Sequence, residues 1–242
     1  MNSADKLNEL INASSRIVFF GGAGVSVPSG IPDFRSPDGL YNQKYKYPPE
    51  TIISHSFFER DTEEFYRFYK DKMLFPDAKP NAAHLKLAEL ERAGRLLAVV
   101  TQNIDGLHQA AGSKTVWELH GSVHRNNCVK CGKFFDLDYI LKSDGVPRCD
   151  KCGGVVKPDV VLYEEPLDTE VIDGAIDAIA HCDLLIIGGT SMSVYPAAGL
   201  VQYRPKGSKL AVVNKTPTPS DEAADLVVGG SIDEAFAGVA IK

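Results

Sequence analysis

Phe19-Phe20-Gly21-Gly22-Ala23-Gly24-Val25-Ser26-Val27-Pro28-Ser29-Gly30-Ile31-Pro32-Asp33-Phe34-Arg35 is the stretch that decides how the chain is read. Ile17 to Phe20 form a short apolar run suited to a buried parallel strand, and Gly21, Gly22 and Gly24 follow where the backbone must turn and leave room for a ligand. N–H groups freed in such a turn can hold a pyrophosphate. The glycines run Gly22-x-Gly24 and the next is Gly30, so the full dinucleotide fingerprint is absent and the turn alone decides nothing. Beyond it, Ile31, Pro32, Phe34 and Arg35 form either a ligand-covering segment or a loop that Ile31 and Phe34 pin to the core while Arg35 faces solvent.

Outward from this stretch the pattern alternates between helical and strand periods. Ser3 to Asn12 predicts an amphipathic helix through Leu7, Leu10 and Ile11, with Ser3 as its cap. Residues 36–50, rich in Pro, Tyr and Lys, predict a loop able to fold over a ligand, and residues 61–75 a helix burying Phe65, Phe68, Tyr69 and Met73. Pro80-Asn81 opens another helix that Gly94 ends, and a further helix runs through Ile172, Ile176 and Ile179. Strands are expected at Leu96–Thr101, Val116–Leu119, Val160–Tyr163, Leu184–Ile187, Leu210–Val213 and Leu226–Val228. The fold class is therefore α/β, a doubly wound, Rossmann-like parallel sheet.

Such sheets bind ligands outside the carboxyl ends of their strands. There the sequence places Gly21 to Arg35, Thr101-Gln102-Asn103-Ile104-Asp105, His120-Gly121, Gly188-Gly189-Thr190-Ser191 and Asn214. Each group alone can be a cap or turn; five at five strand ends point to chemistry. His120 is the candidate general base, because imidazole titrates near operating pH, against the alternative of a packed histidine. Asn103 and Asp105 can orient water or a sugar hydroxyl, or simply form an Asx turn.

Cys128-x-x-Cys131 and Cys149-x-x-Cys152 have the paired-knuckle spacing of a tetrahedral zinc site, with Gly132 and Gly153 after the pairs. Four thiolates fill the coordination shell, so one structural zinc is expected, holding together a module too small for its own core. Cys182 reads as a buried thiol.

With 242 residues and 44% hydrophobic content the chain can build one large core or a core with a smaller module. A net charge of -6 argues against nucleic acid as a partner and suits a basic peptide. Residues 1–15 are too polar for a signal peptide and no apolar run reaches membrane-spanning length, so a cytoplasmic chain with no membrane partner is expected.

Taken together, Gly22-Ala23-Gly24-x-Ser26 leading into Ser29 to Arg35, Gln102-Asn103-Ile104-Asp105, His120-Gly121, the paired cysteines, Gly189-Thr190-Ser191 and Val213-Asn214 resemble the sirtuins, NAD-dependent protein lysine deacylases, over nearly the whole chain. The resemblance implies a Rossmann-like NAD-binding domain over 1–35, 80–125 and 157–242, a cofactor loop and helical insertion over 36–79, and a zinc ribbon over 126–156. It implies NAD as co-substrate, contacted by Gly22, Ala23, Gly24, Val27, Phe34, Arg35, Gln102, Asn103, Ile104, Asp105, His120, Gly189, Thr190, Ser191, Asn214 and Ile232. His120 and Asn103 would be catalytic, the first deprotonating a ribose hydroxyl and the second positioning ribose or water. An acyl-lysine peptide would add as a strand along Val160, Val161, Leu162 and Tyr163. The last three positions of that segment, Tyr163-Glu164-Glu165, depart from the family's Phe-Gly-Glu. Sirtuins that prefer succinyl or malonyl groups carry Tyr and Arg three residues apart, where this chain has Tyr66 and Tyr69, so an uncharged acyl group is expected. The rival readings are an NAD hydrolase or ADP-ribosyltransferase using the same pocket, and a non-catalytic NAD-binding module; a monomer is expected.

Overall fold

The computed structural model describes residues 3–36, 39–42 and 45–241. Pro37, Asp38, Gln43 and Lys44, within the loop read over 36–50, lie outside them. The strands are β1 (Ile17–Gly21), β2 (Leu96–Thr101), β3 (Val116–Glu118), β4 (Gly121–Cys128), β5 (Phe134–Phe135), β6 (Val156–Val160), β7 (Leu184–Gly188), β8 (Lys209–Asn214) and β9 (Leu226–Gly229). The α-helices are α1 (Ser3–Ala13), α2 (Pro49–Ile52), α3 (His55–Arg60), α4 (Thr62–Lys72), α5 (Ala82–Arg92), α6 (Leu107–Ala110), α7 (Leu137–Lys142), α8 (Thr169–Ala180) and α9 (Ile232–Ala237).

Six strands pair in parallel in the order β3-β2-β1-β7-β8-β9. This is the order of dinucleotide-binding sheets, with the direction of winding reversing between β1 and β7. Alternate residues of a strand face opposite sides, and β1 is buried on both. Ile17 and Phe19 pack with Leu7, Leu87 and Phe236 from α1, α5 and α9, while Val18 and Phe20 pack with Ala175 and Ile179 of α8 on the other face. Each large apolar side chain buried in this way stabilises the fold by about 1.5–3 kcal/mol. The expected helix ends are present: Asn81 caps α5 in a capping box with His84, and Gly94 follows it in the left-handed conformation. Ser3 is itself helical in α1, so it is not the cap expected there.

A second, antiparallel sheet has the order β5-β4-β6. It shares one core with the helical insertion: Phe57, Phe65, Tyr66 and Tyr69 pack with Val123, Ile140, Val156 and Val160. Val160–Tyr163 is therefore not a strand of the parallel sheet. β6 ends at Val160, opposite Gly121 of β4, and beyond it Val161 N–H donates to His120 O (3.1 Å), Leu162 N–H to the Glu165 carboxylate (2.9 Å) and Tyr163 N–H to Ile53 O (3.0 Å). An apolar run specifies burial; these partners, distant in sequence, decide where it lies.

His84 and His108 are both fully inside the protein, with ring centroids 4.7 Å apart. His84 Nδ1 accepts the Asn81 N–H, and neither nitrogen of His108 has a partner among the described residues. Burial brings His84 down to about 4 and holds His108 well below the usual histidine value, with His84 adding to the effect. An unfolded chain protonates both below about pH 6.5, so between there and the folded values the unfolded state binds more protons and stability rises with pH. We expect the denaturant midpoint to fall on going from pH 7 to pH 5, and to fall less in a His108→Leu variant; a midpoint independent of pH would contradict this account.

Candidate active site and metal centre

The loops that leave β1 and β7 meet backbone to backbone. Gly24 N–H donates to Gly189 O (2.8 Å), and a Cβ on Gly24 would lie 2.8 Å from both Cα and O of Gly189, so no side chain fits there. Gly22 N–H donates to Gly188 O (3.3 Å), Val25 N–H to Gly22 O (3.0 Å) and Ser26 N–H to Ala23 O (3.0 Å). The glycine turn therefore differs from the sequence reading: these N–H groups are used inside the protein, because the loop winds into two short 3-10 turns, Ala23–Val25 and Val27–Ser29. What the glycines supply is closeness.

All the residues nominated for NAD and peptide, from Gly22 to Ile232, line one cleft of about 1020 Å³ outside the carboxyl ends of β1, β2, β7 and β8. Gln102 Nε2 donates to Thr190 Oγ1 (3.0 Å), joining the ends of β2 and β7. Buried Ser26 donates to Asp105 Oδ2 (2.6 Å) and accepts from Asn103 Nδ2 (3.0 Å), so one hydroxyl orients both groups. Ser26 stood in the quoted motif without a role; its partners lie 79 and 77 residues away, and only the motif itself could have marked it. Phe34 meets Tyr41 edge to face at 5.4 Å, exposed Arg35 sits 5.3 Å from the Tyr41 ring, and the Tyr41 and Tyr163 hydroxyls are hydrogen-bonded at 2.9 Å. Val27 and Ile104 line the same cleft; Ser191 Oγ bonds Ser193 Oγ (2.7 Å), Asn214 Nδ2 donates to Thr216 O (2.8 Å), and Ile232 is buried.

His120 lies between β3 and β4. Its Nδ1 is 3.0 Å from Gln102 O, and since a carbonyl oxygen only accepts, Nδ1 carries the proton and Nε2 keeps its lone pair. Burial lowers the imidazole below its usual value, partly opposed by the bond to Gln102, which favours the charged form. Gly121 has φ +73°, and a Cβ there would fall 1.9 Å from Asp159 O, so glycine is required beside this histidine.

On the opposite wall Glu165 collects three ties: His55 Nδ1 (2.8 Å), Lys157 Nζ (3.0 Å) and Leu162 N–H. Burial pushes its carboxyl upward, but Leu162 N–H, His55 and Lys157 together hold it below the usual carboxylate range. Glu164, at φ 77°, occupies the left-handed region, and its carboxylate accepts Ser56 N–H (2.8 Å) and Ser56 Oγ–H (3.0 Å).

The four cysteine sulfurs lie within 4.8 Å of one another, with Cys128 and Cys152 at 3.4 Å and Cys131 and Cys149 at 3.7 Å. Thiolates about 2.3 Å from a tetrahedral zinc stand about 3.8 Å apart, so the set fits one ion, and disulfide sulfurs would be at about 2 Å. Gly132 N–H to Cys128 O (2.9 Å) and Gly153 N–H to Cys149 O (2.8 Å) close two matching knuckles. With four sulfur ligands the zinc is structural and leaves no position for substrate.

An open parallel sheet, a cleft at its reversal point and a four-cysteine module carried by a second, antiparallel sheet define one group of proteins: the chain belongs to the Sir2 family, whose model matches residues 22–196. It is 61% identical over 237 residues to an NAD-dependent protein deacetylase of Clostridium perfringens (strain 13 / Type A), covering 97% of each chain. Among solved structures it is similar to a Sir2 histidine mutant with deacetylated p53 peptide and 3'-O-acetyl-ADP-ribose (TM-score 0.90, 41% identity, 99% of this chain and 100% of that one). It is likewise similar to a Sir2 complex with p53 peptide and NAD+ (TM-score 0.84, 42% identity, 98% and 96%). No helix among the described residues is long and apolar enough to cross a membrane.

Two outcomes are expected. Metal analysis should find one zinc per chain, and stripping it with a chelator, or making Cys149→Ser, should lower the melting temperature sharply, because the ion substitutes for core around the knuckles. At position 164, Glu164→Ala loses both bonds to Ser56 and keeps the left-handed backbone, whereas Glu164→Gly loses the bonds and relieves the backbone. The glycine variant should be the more stable of the two by about 1 kcal/mol in denaturant unfolding, and equal midpoints would count against the backbone argument.

Proposed function

We propose that this chain is an NAD-dependent protein lysine deacetylase, removing acetyl or another uncharged acyl group from lysines of peptide and protein substrates and releasing nicotinamide and O-acyl-ADP-ribose. The observation that carries the reading is His120: an imidazole kept neutral by burial, its Nδ1–H bound to a backbone carbonyl, its Nε2 without a partner among the described residues, in the cleft at the sheet's reversal point. The cleft's volume and its wall of glycines suit an extended dinucleotide. NAD, when bound, supplies the electrophilic ribose carbon and the nicotinamide leaving group.

The chain's own residues supply position and proton transfer. Gly22, Ala23, Gly24, Val27, Gln102, Gly189, Thr190 and Ser191 frame the pyrophosphate and its riboses, with Asn214 and Ile232 on the adenosine side. Ile104 and Asp105 hold the nicotinamide carboxamide, Asp105 being already fixed by Ser26 Oγ. Asn103 positions ribose or water. Phe34 and Arg35, on the segment tied to Tyr41, cover the reacting carbon and exclude water. Val160 to Tyr163 receive the acyl-lysine peptide, and His120 Nε2 accepts the proton of a ribose hydroxyl. Residues 36–79 and 126–156 form the second module of the enzyme, a division supported by their common core.

Nicotinamide release by the zinc-loaded protein should require an acetyl-lysine peptide and match the loss of its acetyl group. His120→Tyr should reduce turnover by at least about 100-fold while zinc content and melting temperature hold. Because burial lowers the His120 pKa, the base form persists on acidification, and the acid limb of kcat/KM should lie below about pH 6.5. Release without peptide would assign NAD hydrolysis or ADP-ribosyl transfer instead, and a fully active His120→Tyr would remove the histidine from its role.

A further inference from the structure

We propose that His124 positions the nicotinamide end of the cleft, and so sets how tightly free nicotinamide is held there. The inference rests on the deacylase reading, in which Ile104 and Asp105 hold the nicotinamide carboxamide. It starts from the register of β4. Ser122 pairs with Asp159 of β6 and Asn126 with Pro158, so the ladder advances from 122 to 126 on β4 while moving one residue on β6, and Val123, His124 and Arg125 bulge out of it. All three reach the parallel-sheet side. Val123 N–H donates to Ile104 O (3.0 Å), His124 Nε2 lies 3.0 Å from Asp105 O, and Arg125 Nη1 donates to Glu118 Oε2 (2.7 Å) at the end of β3.

Asp105 is thereby held at its side chain and at its backbone. Ser26 Oγ–H donates to Oδ2 (2.6 Å) and Leu107 N–H to Oδ1 (2.9 Å); since a carbonyl oxygen only accepts, His124 Nε2–H donates to the main-chain oxygen. The first two ties come from the parallel-sheet side and the third from the antiparallel sheet. The ring also braces the turn that follows. Gly106 has φ +72°, and a Cβ there would fall 2.7 Å from His124 Cδ2 and 2.8 Å from Nε2, so the imidazole lies against the bare backbone of a residue that has no side chain to fix it. His124 lines the cleft and is exposed, so its bond adds little to the fold, where water can replace it. What it restrains is the freedom of Asp105 and Gly106 to turn away from a ligand. Nicotinamide leaves when its ring nitrogen gives up the ribose carbon to the acyl oxygen, and free nicotinamide returns by the reverse exchange, remaking NAD and acyl-lysine. The return needs the carboxamide seated, whereas the steps after release do not. A looser Asp105 therefore weakens inhibition by nicotinamide more than it slows deacylation.

The test compares zinc-loaded His124→Ala, His124→Asn and His124→Gln with the parent. Glutamine carries an amide N–H at about the reach of the imidazole Nε2, and asparagine carries one a methylene short. Calorimetry with an acetyl-lysine peptide present measures the affinity for a carbocyclic NAD analogue that cannot release nicotinamide, and for ADP-ribose, which lacks it. The Ala and Asn variants should bind the analogue about fivefold more weakly relative to ADP-ribose, the loss of one hydrogen bond, with melting temperatures close to the parent's, and the Gln variant should recover most of that loss. In turnover, the nicotinamide concentration that halves deacetylation should rise by about fivefold in the Ala and Asn variants while the peptide KM holds. Equal weakening of both ligands, weakening of neither, or a Gln variant no better than Asn would overturn the assignment. Turnover of the peptide by the parent with no selective loss in the variants removes the role of His124 alone. Selective loss in a protein that turns over no acetyl-lysine peptide removes the deacylase reading and leaves His124 at the nicotinamide end.

Discussion

Backbone packed on backbone, between Gly24 and Gly189, is the contact on which the site depends. It closes the gap between the loops after β1 and β7, where the winding of the sheet reverses, and it leaves no space for a Cβ. A side chain at Gly24 would push the loop outward and carry Ser26 with it. Asn103 and Asp105 would then lose the hydroxyl that orients them both, and the link from Gln102 to Thr190 would lengthen. The polar network of the cleft is thus downstream of a steric fact.

The parallel sheet could be read from the chain because strands covered on both faces must be apolar at successive positions, as Leu184 to Ile187 are, with alternate residues going to opposite cores. The metal centre was legible for a different reason: coordination geometry imposes a spacing on the cysteines that no packing requirement imitates. β4 carried no such mark. Gly-Ser-Val-His-Arg-Asn-Asn-Cys is largely polar, and it is a strand because β5 and β6 pair with it on either side. Conversely, Val160 to Tyr163 looked like another parallel strand, since burial alone does not say which sheet does the burying. At the site, the strand-end residues were legible from topology, whereas the two bonds of Ser26 cross the fold and leave no local pattern. The glycine turn showed the limit most clearly. Its composition suggested open N–H groups, and the structure closes those of Gly22 and Gly24 on the Gly188 and Gly189 carbonyls and those of Val25 and Ser26 on carbonyls of their own loop.

The wall opposite the glycines is organised by charge. Glu165 binds an imidazole from α3, an ammonium from β6 and a backbone N–H of its own segment, and Glu164 reaches the start of α3 from a backbone conformation that favours glycine. Here a side chain's hydrogen bonds offset a backbone cost of about 1–2 kcal/mol, so the departure from the family's glycine is compensated locally.

The position of His120 bears on how such a protein can be recombined. The residue stands one position before β4 and two after β3 ends, between the two sheets. Its proton is fixed by the Gln102 carbonyl of the parallel sheet, while Gly121, beside it, fits only against Asp159 of the antiparallel one. A chimera that exchanged the metal-bearing lobe for a relative's would take the imidazole from one parent and half of its socket from the other, wherever the junction between Glu118 and Gly121 was placed. The histidine belongs to neither lobe, and can be inherited intact only together with both.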